Sequence, residues 1–163
     1  MRQILCRAVL AILAMVAIDP ITGWVAIRAA IAQTPISLVV IVSERVPVTR
    51  LDAQTLSSIY RGNTRTWPDG APILPLNLTA GSPARTEFDR VVLLMTPDEI
   101  AKYWIDRRVR GEGSPPRQLP NPDLVVRLVQ AMAGSVAYVP ESNKLTDKVR
   151  VVARIREGRV WAP

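Results

Sequence analysis

The feature that most constrains the fold is an uninterrupted apolar run at residues 37–42, Ser-Leu-Val-Val-Ile-Val, in which β-branched side chains dominate. A strand that is apolar on both faces must be covered on both faces by other elements. Two further strand patterns, at residues 135–139 and 149–155, lie among segments of helical periodicity, and the connections are short. Strands that alternate with helices in this way predict an α/β domain, with a mixed sheet flanked by helices.

Helix signals are clear in the segments between the strand patterns. They predict four helices, at residues 52–60, 83–95, 96–109 and 123–132. The segment Thr96-Pro97-Asp98-Glu99 is a capping box with proline at the first helical position, which is typical of a helix start. The remaining strand pattern, at residues 73–78, contains Pro75. Because proline cannot donate a hydrogen bond to a neighbouring strand, the sequence favours an edge position for this strand.

The first 32 residues are typical of an export signal. A basic start with Arg2 and Arg7 precedes an apolar run at residues 8–18, and Ala30-Ile31-Ala32 forms a small-residue cleavage site. A basic start, an apolar centre and small residues at the cleavage point are the three parts of a secretory signal peptide. We therefore expect a signal peptide at residues 1–32.

Cleavage after Ala32 leaves an exported domain at residues 33–163, in the periplasm or outside the cell. The alternative is an uncleaved membrane anchor at residues 8–27. Asp19 would then lie inside the membrane, at a cost of about 2.5–3.5 kcal/mol on insertion scales. The sequence therefore favours cleavage over anchoring.

Residue types that many enzymes and metal sites need are missing. The sequence has no histidine, and its single cysteine, Cys6, precedes the exported domain. These absences exclude histidine acid–base chemistry, Cys–His nucleophiles and the usual zinc, iron–sulfur and haem ligand sets. We therefore expect a protein without enzymatic activity, cofactor or metal ion.

The charge balance favours anionic partners. Lysine and arginine number 21 against 14 acidic residues, which gives a formal net charge of +7. Nucleic-acid binding is not expected, because aromatic residues make up only 5% of the chain and core packing accounts for them. A cluster of arginines around the loop at residues 111–116 is interpreted as a solvated helix end, with a loop that faces an anion or a partner as the alternative: Arg107, Arg108, Arg110 and Arg117.

Several motifs occur in an order that is typical of one family. They are Ile59-Tyr60-Arg61-Gly62, Trp67-Pro68-Asp69-Gly70, Gly81-Ser82-Pro83, Tyr103-Trp104 and Gly134-Ser135-Val136-Ala137-Tyr138-Val139. In this order they resemble the solute-binding proteins of ABC-type phosphate importers, particularly their small phosphate-binding-like relatives. The resemblance implies a type II periplasmic-binding-protein-like fold, truncated here to a single α/β lobe.

The candidate ligand site is the turn before the helix predicted at residues 83–95. There Gly81 lets the backbone approach a ligand closely, Ser82 and Thr86 offer hydroxyl donors, and Arg85 offers a charged fork. Helix N-termini present unpaired N–H groups and the positive end of the helix dipole, which together attract oxyanions. The sequence therefore predicts a small oxyanion, such as phosphate, at these four residues. The alternative is that Ser82 serves only as the helix cap.

The resemblance also indicates where this site differs from those of phosphate binders. The proteins that the chain resembles carry a Gly-Ser-Gly-Thr turn, with an arginine and an aspartate just before it. This sequence has Asn77-Leu78-Thr79-Ala80 before the turn, and Pro83 replaces the second glycine. Proline has no N–H group, so the turn has one donor fewer.

Two functions follow from these observations and remain open at this point. The resemblance implies an exported, non-enzymatic solute-binding-like protein that captures an oxyanion and is linked to the membrane subunits of an ABC-type phosphate importer. The alternative is a ligand-free module of the same fold that binds another protein or assembles with itself. Ligand capture predicts a rise in thermal stability with phosphate, whereas self-assembly predicts a mass above that of the monomer.

Overall fold

The computed structural model describes residues 36–163. The predicted signal peptide with its cleavage site lies outside these residues, and so does the alternative membrane anchor. None of the helices in the described part of the chain has the length and hydropathy needed to cross a bilayer.

Six strands form one mixed sheet: β1 (Leu38–Ser43), β2 (Leu74–Leu78), β3 (Arg117–Leu119), β4 (Ser135–Pro140), β5 (Val149–Arg156) and β6 (Arg159–Trp161). Their order across the sheet is β3-β2-β4-β1-β5-β6. β1 pairs antiparallel with β4 and β5, and β6 pairs antiparallel with β5. β2 runs parallel to both β3 and β4. Every residue of β1 is buried, as predicted for a strand covered on both faces.

The described residues form four α-helices: α1 (Ala53–Tyr60), α2 (Pro83–Phe88), α3 (Pro97–Val109) and α4 (Pro122–Ala131). Each helix follows a side chain that accepts a hydrogen bond from a backbone N–H group in the first turn. These caps are Asp52, Ser82, Thr96 and Asn121. Capping satisfies N–H groups that the helix itself leaves unpaired, and each cap contributes about 1 kcal/mol. The predicted helix starts and the mixed α/β fold are confirmed.

The prediction of an edge position for the strand with Pro75 was wrong, because β2 lies between β3 and β4. Pro75 pairs with Val136 of β4, whereas β3 pairs with residues 76–78. The short β3 therefore ends its pairing before it reaches the proline, so no ladder bond is lost on that side.

The helix predicted at residues 83–95 differs from the observed chain. α2 continues into a π-helical turn, Asp89–Leu93, and Leu94 ends it in the left-handed region with φ of 53°. The strands β3 and β6 were not predicted, since three residues are too few to show the two-residue period of a strand.

A cluster of buried aromatic rings holds α2 against the sheet. The rings of Phe88 and Tyr138 stack with centroids 3.9 Å apart and planes 7° from parallel. Tyr60 of α1 contacts the same phenylalanine at 4.6 Å between centroids. Phe88 is the last residue of α2. Because its ring packs on Tyr138 of the sheet, the short helix is held against the sheet.

Candidate functional site

The turn at residues 79–82 links the carboxyl end of β2 to the start of α2. The Thr79 N–H donates to the Leu119 carbonyl at the end of β3, with a distance of 3.0 Å. The Ser82 N–H then donates to the Thr79 carbonyl at 3.2 Å. Gly81 is exposed and has φ of 82°, a conformation that side chains rarely adopt. The turn therefore lies at the edge of the sheet where the parallel strands β2 and β3 both end.

Three of the predicted site residues lie together on this turn and the first turn of α2. The Ser82 hydroxyl accepts from the Arg85 N–H at 3.4 Å, and the Thr86 N–H donates to the Ser82 carbonyl at 2.9 Å. Ser82 and Thr86 are half-buried. Within residues 36–163, the N–H groups of Gly81 and Ala84 have no hydrogen-bond partner. Gly81 is exposed, whereas Ala84 is only 5% exposed, so of these two donors only the Gly81 N–H belongs to a residue open to solvent.

The fourth predicted residue, Arg85, is in a different environment from the other three. Only 6% of its surface is exposed. Its Nε donates to the Asp89 carboxylate at 2.5 Å, and its Nη1 donates to the Leu78 carbonyl at 3.4 Å. The guanidinium is therefore held inside the domain and its charge is largely compensated by a neighbouring carboxylate.

Burial dominates the electrostatics around this ion pair. Desolvation raises the pKa of the Asp89 carboxyl above its ordinary value, and the Arg85 charge offsets only part of that rise. One oxygen of Asp89, Oδ1, is buried without a hydrogen-bond partner among the described residues. Burial also raises the pKa of the Tyr138 phenol well above its ordinary value, so its hydroxyl stays protonated and remains a donor.

A cavity of about 180 Å³ lies beside the turn, and Arg85 lines it together with Asn77 of β2. Asn77 is 3% exposed, and its Oδ1 accepts a hydrogen bond from the Tyr138 hydroxyl. Gly81, Ser82 and Thr86 do not line this cavity. The structure therefore gathers the predicted residues at one helix start but turns only the arginine toward the cavity.

Sequence reasoning did not identify Asn77 as a candidate site residue. The signal that could have found it is a polar side chain inside the apolar strand segment Leu-Pro-Leu-Asn-Leu of β2. A buried polar residue in such a segment needs a hydrogen-bond partner, and that need marks it as a residue with a specific role.

The interpretation of the arginine cluster as a solvated helix end was wrong for Arg107, which is only 9% exposed. Its Nη1 donates to the Asn63 side chain at 2.8 Å and to the Arg61 carbonyl at 3.0 Å, and its Nη2 donates to the Glu112 carbonyl at 3.3 Å. Arg110 is exposed and pairs with the Glu112 carboxylate at 2.7 Å. Arg107 therefore fixes the start of the loop that carries two prolines of the cavity wall.

The mixed sheet flanked by helices, matched over part of the solved structures described next, gives the class of the fold: one lobe of a type II periplasmic-binding-protein-like structure. No family model matches the sequence, and no curated protein matches it. Solved structures do match. An ABC-type phosphate transport receptor from Vibrio cholerae has a TM-score of 0.57 and 19% identity, over 73% of this chain and 47% of that one.

Two further structures give the same result. A Clostridium perfringens protein solved with bound phosphate has a TM-score of 0.58 and 20% identity, over 72% of this chain and 45% of that one. PstS from Borrelia burgdorferi has a TM-score of 0.56 and 14% identity, over 72% of this chain and 46% of that one. This chain thus spans less than half of the length of these structures. At such identities the likeness establishes the fold, and function must be argued from the site.

Proposed function

We propose that this protein captures a small oxyanion, phosphate or a chemically similar ion, by non-covalent binding at the start of α2. The observation that carries the proposal is the turn after β2, where unpaired N–H groups adjoin a cavity lined by buried Asn77 and Arg85. The fold supports the proposal, because the matching structures include one solved with bound phosphate.

The predicted donors differ in what they contribute to binding. The N–H groups of Gly81 and Ala84, with the hydroxyls of Ser82 and Thr86, supply hydrogen bonds and the positive end of the helix dipole. Arg85 supplies less than a free arginine would, because the Asp89 carboxylate lies 2.5 Å from it. We therefore expect binding that is weaker than a site with an uncompensated arginine would give.

Export and delivery complete the proposal. The export signal at residues 1–32 would place the domain in the periplasm or outside the cell, where such an ion is first met. Delivery to the membrane subunits of an ABC importer is supported by the resemblance of the motifs and by the Vibrio cholerae transport receptor that the fold matches.

The test is a substitution that keeps the helix cap but repels an anion. Aspartate caps helices as well as serine does, so Ser82→Asp should preserve α2 while placing a carboxylate at the site. We expect phosphate and sulfate titrations, followed by NMR, to show saturable binding to the wild type and at least about a tenfold loss in Ser82→Asp.

The matched control is Asn121→Asp at the start of α4, where proline also occupies the first helical position. This change adds the same charge at another capped helix and should leave binding unchanged. Equal losses in the two variants, or binding that ignores Ser82→Asp, would contradict the proposal. A rise in mass on light scattering without any phosphate effect would instead support the assembly alternative.

A further inference from the structure

The cavity beside the turn has two chemically different walls. The polar wall comes from β2, α2 and β3, and consists of Asn77, Arg85 and Gln118. The apolar wall comes from α3 and the loop before β3, and Ala80 of the turn also lines the cavity. The side chains of the apolar wall are Pro97, Ile100, Ala101, Trp104, Pro115 and Pro116. A ligand that fills this cavity must therefore match a polar surface on one side and an apolar surface on the other.

The polar wall offers donors to an anion. Asn77 is 3% exposed, and its Oδ1 is occupied by the Tyr138 hydroxyl. Its Nδ2 has no hydrogen-bond partner among residues 36–163. The atom is not fully buried, so a ligand in the cavity can reach it. A buried amide N–H₂ group without a partner is costly, so a ligand acceptor would satisfy it. Arg85 lines the same wall and adds the part of its positive charge that Asp89 leaves uncompensated.

The apolar wall does not suit a bare inorganic ion. Trp104 is 8% exposed, and its ring contributes to this cavity and to an adjoining one of about 300 Å³. A strongly hydrated ion gains nothing from such a surface, whereas an apolar group is stabilised by leaving water. A cavity of about 180 Å³ is large enough for a phenyl ring, because an apolar cavity of about 150 Å³ binds benzene.

We propose that the ligand is an oxyanion with an apolar substituent about the size of a phenyl ring, such as an organic phosphonate. Its oxygens accept hydrogen bonds from Asn77 Nδ2 and Arg85, and its substituent packs against Trp104 and the two prolines. This inference rests on the proposed function for the capture of an oxyanion. It places the anionic end on Asn77 and Arg85, because Gly81, Ser82 and Thr86 do not line the cavity, and it adds the chemical class of the rest of the ligand. No covalent step is involved.

The experiment compares three probes by calorimetry on the same purified protein: phenylphosphonate, inorganic phosphate and benzyl alcohol. Burial of a phenyl ring predicts that phenylphosphonate binds at least about tenfold more tightly than inorganic phosphate. Benzyl alcohol should bind at least about tenfold more weakly than phenylphosphonate, because it has no charge for the polar wall.

Replacement of either of two alanines by leucine locates the apolar end of the ligand. Ala101→Leu fills the cavity from α3 with a residue that favours helices. It should abolish the advantage of phenylphosphonate over inorganic phosphate. Ala131→Leu makes the same change at an exposed position in α4 that does not line the cavity, and should leave that advantage intact.

A third substitution locates the anionic end. Asn77→Asp keeps an oxygen to accept from Tyr138, removes the Nδ2 donor and adds a negative charge, so it should abolish phenylphosphonate binding. Circular dichroism confirms the fold of each variant, and the Ala101→Leu comparison stands even if Asn77→Asp unfolds.

The outcomes separate this inference from the function on which it rests. Inorganic phosphate that binds as tightly as phenylphosphonate overturns the inference and leaves the proposed function intact. Binding of neither anion overturns both. Benzyl alcohol that binds as tightly as phenylphosphonate overturns the claim that the ligand is an anion. If phenylphosphonate still binds more tightly than inorganic phosphate in Ala101→Leu, the assignment of the apolar end to this cavity is overturned.

Discussion

Removal of the Arg85 side chain should destabilise the domain strongly, because the arginine neutralises a carboxylate that is itself buried. The side chains of Arg85 and Asp89 are 7% and 6% exposed, and the two atoms of the ion pair lie 2.5 Å apart. Arg85→Ala leaves Asp89 in the core without its counter-charge and removes a donor to the Leu78 carbonyl. We expect a loss of about 3–5 kcal/mol in the free energy of unfolding.

A second variant separates the net contribution of the ion pair to the free energy of unfolding from the loss caused by leaving one buried charge unpaired. Replacement of both residues with apolar side chains of similar size, Arg85→Met with Asp89→Leu, removes both buried charges at once. Such replacements are often neutral or stabilising, so the double variant should recover most of the loss caused by Arg85→Ala. Urea denaturation at neutral pH, followed by circular dichroism, measures both values.

Arg90→Ala is the matched control, since Arg90 lies on the same helical segment and pairs with Glu87 at 2.8 Å but is 58% exposed. An exposed pair of this kind contributes about 0–1 kcal/mol. A cost of Arg85→Ala no larger than that of Arg90→Ala, or a double variant no more stable than Arg85→Ala, would contradict the role given to the buried ion pair.

Three further predictions follow from the same region and from one close contact. Burial raises the folded-state pKa of Asp89 above 3.8, so protonation of this carboxyl favours the folded state. That stabilisation is fully present below pH 3.8 and is lost as pH rises through the folded pKa. Urea denaturation across the acid range should therefore show the wild type losing stability relative to Asp89→Asn as pH rises. Gly134→Ala should lower the melting temperature far more than Gly81→Ala, because both have φ of 82° but an added Cβ would clash with the Pro72 carbonyl oxygen only at Gly134. Phe88→Ala should cost about 3–5 kcal/mol in denaturant unfolding, and a loss below that of an exposed alanine substitution would contradict the role given to the aromatic cluster.

The fold could be predicted largely because its signals are local. The side chains that cap the helices, such as Ser82 and Asn121, act on backbone groups three residues away, so the sequence displays them directly. The buried strand at residues 38–43 is equally visible as an apolar run. β3 and β6 could not be predicted in this way, because their pairing depends on neighbours that are distant in the sequence.

In the candidate site, too, only the features that depend on residues close in the sequence could be predicted. Gly81, Ser82 and Thr86 lie together at one helix start because they are close in the chain, and their role in binding stays a prediction. The pairing of Arg85 with Asp89 spans four residues and fits a helix, but its burial depends on how the helix packs on the sheet. Asn77 and the apolar wall meet only through tertiary packing, so no sequence pattern placed them together.

The hydrogen bond between Tyr138 and Asn77 has a consequence for the sign of charge that the cavity accepts. An amide group offers an acceptor at one end and a donor at the other, and a half-turn exchanges them. The phenol engages the oxygen, so the nitrogen is left to the cavity. A hydroxyl on a strand 61 residues further along the chain thus fixes which end of the amide faces the cavity, and without it the same asparagine could rotate and present its oxygen there instead.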